Sequence, residues 1–302
     1  CVAVGSQAGQ TTQNDFSVAM GFQAGNDNQG SGSVAIGALA GQTTQGLDCV
    51  AVGLNAGQSS QSDYAVAIGW NAGEDTQGQA CVAVGFQAGR TTQGNSCVAV
   101  GSQAGQITQG DFSVAMGFQA GNDNQGSNCI AIGTASGQTG QGNNAVAIGA
   151  LAGQTSQHTN SIVINAQGIA LNTGGSSRCY IAPIRNVNLA NTLEYDSSTK
   201  EVGYIASTRN IKKNIENLTD KESKMIYQLQ PRSFNYKFND YYDIGFIAEE
   251  VAEINPYLAK WQEDKPQNIN WNAITSSLVA EIQILRAKVE ENEHKISILL
   301  NK

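Results

Sequence analysis

The chain repeats every 16 residues, and no other feature limits its possible folds as strongly. From Cys1 the units read CVAVGSQAGQTTQNDF, SVAMGFQAGNDNQGSG, SVAIGALAGQTTQGLD, CVAVGLNAGQSSQSDY, AVAIGWNAGEDTQGQA and onward. Ten units run without insertion or deletion to Asn160, and an eleventh opens at Ser161 as SIVIN before decaying. A longer period is superimposed, since residues 1–32 and 97–128 are nearly identical at a spacing of six units.

Each place in the unit follows a chemical rule. The second is Val or Ile, the third Ala, the fourth Val, Ile or Met, the fifth and ninth Gly, and the thirteenth Gln. Four residues suited to a strand, then Gly, then a polar stretch, predict a short strand and a turn. One such unit cannot bury its apolar side chains alone, whereas a stack of units can. At ~4.8 Å per strand, ten coils extend roughly 48 Å. Alternation sends places 2 and 4 to one strand face and places 1, 3 and 5 to the other. The bulky Val/Ile face is expected to fill the interior. The small Cys/Ser/Ala, Ala, Gly face is expected to lie against another copy of the chain. Strict phasing argues against disorder, which needs no register.

Composition shows where this material stops. Residues 1–165 hold one basic residue, Arg90, eight acids and 29 of the 34 Gly, with no Pro. The remaining 16 Lys/Arg lie beyond residue 165, where charge content is ordinary. A nucleic-acid groove needs clustered cations, so the repeats exclude one. No apolar run approaches the ~20 residues of a membrane span, so no membrane insertion by this segment is expected. The first residue is Cys1, not Met, which suggests a fragment or processed product in which no signal is visible. Five of the six cysteines (Cys1, Cys49, Cys81, Cys97, Cys129) occupy place 1, where Ser and Ala also occur, and the sixth is Cys179. With no C-x-x-C pair and only His158 and His294, neither a metal nor another cofactor is expected. Small buried thiols fit synthesis in a reducing compartment.

From Gln167 the pattern breaks. YIAPIRN and the pair TLEYD and KEVGYI predict short strands, the pair forming a hairpin across Ser197-Ser198-Thr199. Thr219 with Glu222 makes a capping box for a short helix that Pro231 ends. RSFNYKF alternates like a strand, and IAEEVAEI reads as a helix stopping near Asn255-Pro256. A long helix is expected from about Trp271 to Leu300. It would place Ile282, Val289 and Ile296 at heptad a, with Leu278, Leu285, Asn292 and Leu299 at d, as in a coiled coil. The expected division is a β-roll over 1–166, a β neck over 167–206 and a terminal module over 207–302.

Two family resemblances follow from these motifs. S/C-V-A-I/V-G-x-x-A-G resembles the head repeats of trimeric autotransporter adhesins, which implies a left-handed parallel β-roll that trimerises side by side. The second covers about residues 180–302. Ser207–Ile215 (S-x-x-x-x-K-K-N-I), LQPRSFNYK at Leu229–Lys237, GFIAEEV at Gly245–Val251, Asn255-Pro256 and the terminal helix resemble the endosialidase-type intramolecular chaperone domain of phage tail fibres. That resemblance implies a domain that trimerises, aligns the upstream β-structure and then cuts itself off. Cleavage would fall between Ala206 and Ser207, with Ser207 as nucleophile and Lys212 as general base. Such a pair works only with a neutral amine, which desolvation or neighbouring cations would provide. Helical spacing would separate the two side chains, so Ser207 should sit in a turn before any helix, or the pair should meet differently in the trimer. Family members commonly carry Asp after the serine and Arg two places before the lysine; here those places hold Thr208 and Asn210.

The expected fold is therefore mainly β solenoid with a C-terminal α+β domain ending in a long coiled-coil helix. The expected function is a trimeric viral or cell-surface fibre fragment with a self-releasing trimerisation chaperone, assembled as a homotrimer and facing a host receptor or glycan. Phe22, Trp70, Phe86 and Phe118, all at place 6, are its candidate surface-binding residues. The alternative is a carbohydrate- or ice-binding solenoid without protease activity, using the Thr/Ser-rich places 10–12.

Overall fold

A computed structural model describes residues 1–185, 193–196, 198–204 and 207–301. The chain divides into two compact units, Cys1–Asn186 and Val187–Lys302. The first is a parallel β-solenoid of about eleven turns.

Place 2 to place 4 of each of the ten full units forms a three-residue strand, and these make ten of the strands of a twelve-stranded parallel sheet. Register advances by one unit per coil, as in Val50↔Val66, Ala51↔Ala67 and Val52↔Ile68. A second sheet of seven strands forms around places 12 and 13, running from Thr44–Gln45 to Thr139–Gln141. Single bridges at Gln13↔Gln29 and Thr139↔Thr155 carry this pairing further. Two kinds of turn close each coil. Gly at place 5 has φ near +130°, as at Gly69 (+129°), a region that side chains rarely adopt. A Cβ on Gly69 would lie 2.5 Å from the Gly85 carbonyl oxygen, so the glycines stack backbone on backbone.

The orientation of the first sheet is the reverse of the expectation. Ala at place 3 and place 8 is fully buried through successive coils, and these methyl groups form the core (Ala51, Ala56, Ala67, Ala72, Ala83, Ala88). Val, Ile and Met at place 4 point outward, with Ile68 39% exposed and Met116 41%. Methyl groups fill this interior through the full coils, and a larger side chain, Val163 opposite Ala147, enters it only at the eleventh. The apolar ladder is thus left on the outside. Small residues mark the inside of this coil and not its contact with a neighbour.

The invariant Gln at place 13 is the other interior residue. Gln29 to Gln157 are all buried. Each amide donates to the carbonyl at place 2 of its own coil, as Gln77 Nε2 does to Val66 O at 2.9 Å. Some also donate to the Gln of the next coil, as Gln45 to Gln61 and Gln61 to Gln77, both 3.1 Å. A buried amide costs free energy unless bonded, and each Nε2 is bonded here, while Oε1 of Gln29, Gln45, Gln93 and Gln125 has no partner among the described residues. Place 1 completes the lining: Cys49 Sγ donates to Ser62 O at 2.9 Å, and Ser113 Oγ to Gly126 O at 2.7 Å. Ser and Cys interchange there because both are small donors with the same reach.

Beyond the repeats, Ile162–Asn165 continues the first sheet and Cys179–Ala182 pairs with it in parallel, Ile162 opposite Cys179. The strand read in YIAPIRN is therefore added to the solenoid itself.

The second unit is α+β. Leu193–Tyr195 pairs antiparallel with Val202–Tyr204. After a 3-10 turn at Arg209–Ile211 come helix α1 (Asp220–Ser223), a hairpin of Arg232–Asn235 with Tyr242–Gly245, and helix α2 (Ala248–Ile254). A further hairpin, Ala259–Gln262 with Lys265–Ile269, leads to helix α3 (Trp271–Leu300). The capping box at Thr219 is formed, the Thr219 hydroxyl accepting from Glu222 N and Glu222 Oε2 accepting from Thr219 N at 2.7 Å. Its core is small: Val251, Leu258, Ile269 and Ile274, backed by Met225, Leu229 and Phe246.

Candidate functional site

Ser207 and the extended Thr208 precede the 3-10 turn, whose last carbonyl-bonded residue is Lys212. The turn brings the lysine back over the serine. Lys212 Nζ lies 2.6 Å from Ser207 Oγ and donates to it. Residues five apart thus meet because the intervening backbone is a tight turn flanked by extended residues, and a regular helix would separate them. Both side chains are exposed in the single chain. Ala206, the expected acyl side of the cut, lies outside the described residues. Arg209 sits inside the turn and Lys213 follows Lys212 in the chain.

The chemistry open to the pair depends on the proton. As a general base the amine must accept from Ser207 Oγ, so it must be neutral. An amine in water has no such help, and burial against apolar surface is what would supply it. Ile211, Ile215 and Leu218 stand exposed on this same stretch, 61%, 53% and 45% respectively.

A second polar cluster ties α3 to α1. The Glu281 carboxylate is buried and accepts from Ser223 Oγ at 2.5 Å and Tyr227 OH at 2.8 Å. Those two bonds hold its pKa below the usual carboxylate range, and the same contact raises the Tyr227 phenol. Sequence reading missed this cluster. Its only signal was a Glu on the stripe formed by Ile274 and Ser277, the buried face of α3. Glu249 and Glu250 of α2 take no part in the pair, and Glu250 binds Arg232 at 3.0 Å.

Elsewhere on α3 the stripe of Leu278, Ile282, Leu285, Val289, Ile296 and Leu299 is uncovered, Leu299 being 70% exposed. The solenoid's place-6 aromatics are also uncovered. Phe22, Trp70 and Phe118 are about half exposed, Phe86 somewhat less, and Trp70 meets Phe86 edge-on at 5.0 Å. The structure does not gather all four; Phe22 and Phe118 lie coils away. Three exposed aromatics escaped sequence reading: Phe16, Tyr64 and Phe112 at place 16, recurring every third coil.

Among the described residues no group of His, Cys, Asp and Glu is placed to hold a metal ion. Among them, too, no helix is long and apolar enough to cross a membrane. The cysteines are free, and burial pushes the Cys49 and Cys129 thiols up. Cys81 is raised as well, by its contact with Cys97 and by burial.

Residues 207–260 match the family described as chaperone of endosialidase. The match opens on Ser207 itself and takes in the 3-10 turn, the capping box, the Arg232–Gly245 hairpin and α2. No curated protein and no solved structure matches the chain. A parallel β-solenoid of 16-residue coils running into a segment similar to this chaperone fits the tail-fibre architecture expected from the sequence.

Proposed function

We propose that the chain is a segment of a homotrimeric fibre, carried on a virion or cell surface, whose terminal module aligns three chains and then cuts itself free between Ala206 and Ser207. The observation that carries this reading is the 2.6 Å contact between Lys212 Nζ and Ser207 Oγ at the first residue of the chaperone match. The step balances as an acyl shift. Neutral Lys212 takes the Ser207 hydroxyl proton, and Oγ attacks the Ala206 carbonyl carbon. The peptide C–N bond breaks as the Ser207 nitrogen takes the proton back from Lys212. Water then hydrolyses the ester, leaving an Ala206 carboxylate and a free Ser207 amine.

Trimerisation supplies what the single chain lacks. The outward Val/Ile ladder and the exposed a/d stripe of α3 are apolar faces too long to remain in water. Two further chains would cover both. The same assembly would desolvate Lys212 and switch the pair on, so cutting follows assembly. Alignment answers a physical difficulty: near-identical coils can slip by whole units at little cost, and a non-repeating nucleus removes that freedom.

The test is mass analysis of the expressed chain beside Ser207→Ala and Lys212→Ala. A fragment ending at Ala206 in wild type and absent from both variants is expected. An uncut wild-type chain in an assembled trimer would remove the protease role. Soluble, ordered oligomer after deletion of 207–302 would remove the chaperone role.

A second reading concerns the solenoid surface. The exposed Trp70–Phe86 pair favours stacking on a sugar face of a receptor glycan. Glycan-array binding that Trp70→Ala abolishes is expected; unchanged binding would discard it.

A further inference from the structure

We propose that the Lys260–Glu194 ion pair is a retention latch that sets how long the cut terminal unit stays seated on the fibre end. This rests on the cleavage reading for its setting. A cut before Ser207 leaves the hairpin Leu193–Tyr195/Val202–Tyr204 with the fibre and the hairpin Ala259–Gln262/Lys265–Ile269 with the released unit. Lys260 Nζ lies 2.8 Å from Glu194 Oε1, across 66 residues of sequence. The pairs Arg232–Glu250, Lys224–Asp220 and Arg286–Glu290 each join residues on one side of the cut. Lys260–Glu194 spans it.

The two hairpins face each other over a cleft of about 840 Å³. Its upstream wall carries Glu194, Asp196 and Glu201, and its downstream wall carries Glu263 beside Lys260 and Trp261. Asp196 is occupied within its own turn, accepting from Ser198 N at 2.8 Å and Ser198 Oγ at 2.6 Å. Four carboxylates and one ammonium therefore line the cleft. Lys260 is what converts a repulsive approach of two acidic walls into an attachment. Before cleavage the peptide bond holds the walls together and the pair matters little. After cleavage the effective concentration supplied by the chain is gone, and the contact itself sets the lifetime of the complex. An exposed pair is weak alone. Three act together in a trimer, which suits a hold that lasts through assembly and then lets go.

The test follows separation of the two fragments by size-exclusion chromatography at intervals after cleavage. Wild type, Lys260→Glu, Glu194→Lys and the double exchange are compared, each checked for an equal extent of cutting as evidence of folding. Each single variant is expected to separate on the order of tenfold faster, three exposed pairs being lost at once. The double exchange restores an opposite-charge pair and is expected to return to within about twofold of wild type. Equal rates in all four, or a double variant as fast as the singles, would overturn the latch. A chain that does not cut itself fails the cleavage reading alone. The latch is then tested on the same four proteins with a protease recognition site placed at residues 205–206, with the same two outcomes. Lys260→Gln serves as a milder variant should Lys260→Glu alter folding, and it is expected to speed separation severalfold.

Discussion

The two units are held together by opposite means. In the solenoid every coil is bonded to the next through backbone pairs and stacked glycines, some coils also through a Gln–Gln bond, and its interior is filled mainly by Ala methyl groups and the buried Gln side chains. In the terminal unit order comes from a few large apolar residues and one buried carboxylate, each used once. The first design is repetitive and cannot tell one coil from another. The second has no repeat and so has one register. On the proposed reading the two are complementary: a long element that zips cheaply, and a unique element that says where zipping starts. Both leave apolar stripes uncovered in the single chain, place 4 in the solenoid and the a/d face of α3.

The contrast can be attacked from either side. The largest effect is expected at a stacked glycine. Gly69→Ala combines a disfavoured φ with a Cβ 2.5 Å from the Gly85 oxygen and should cost roughly 3–5 kcal/mol. Hydrogen exchange should show the loss confined to coils near residues 65–96, with the terminal unit unchanged. Uniform loss across both units would mean that they are not separately stable.

Next comes the amide ladder. Gln77→Leu keeps volume but removes the bond to Val66 O and the one accepted from Gln61 Nε2, which keeps Val50 O and Ala65 O, at about 1–2 kcal/mol. Thermal unfolding would show the shift, and a neutral result would mean that water enters the core to replace the amide.

The pH response should separate the units. The depressed Glu281 pKa gives stability that is present above the ordinary glutamate range, near 4.3, and lost as pH falls through the folded value. The raised Cys49 and Cys129 pKa values give stability that is present below about 8.5 and lost as pH rises above it. Acid should therefore loosen α3 first and alkali the solenoid first, as followed by residue-resolved exchange. Glu281→Gln should flatten the acid limb.

The smallest effect is expected at place 1. Cys49→Ser puts there the residue found at Ser33 and Ser113 and should change stability by less than about 1 kcal/mol while removing part of the alkaline loss.

Much of the architecture was legible in the sequence. Periodicity alone carries the parallel stack and its one-unit register, because identical spacing admits one in-phase pairing. The capping box and the start and end of α3 were equally legible, since caps and heptads are local signals. The meeting of Ser207 and Lys212 followed from family resemblance, with the turn that joins them left open. Tertiary structure decided the rest. Strand alternation yields two faces and does not say which is inside. Coil packing decides that: Ala and Gln line the full coils, and Val163 enters the interior only where the repeat decays. The repeat itself held the clue: the invariant places, Ala at 3, Gly at 5 and 9 and Gln at 13, line or close the coil, while place 4 tolerates Val, Ile and Met. The Glu281 cluster and the Lys260–Glu194 pair join residues more than 50 apart, and no local pattern announces such contacts. They exist because a small core folds one particular way and brings them together.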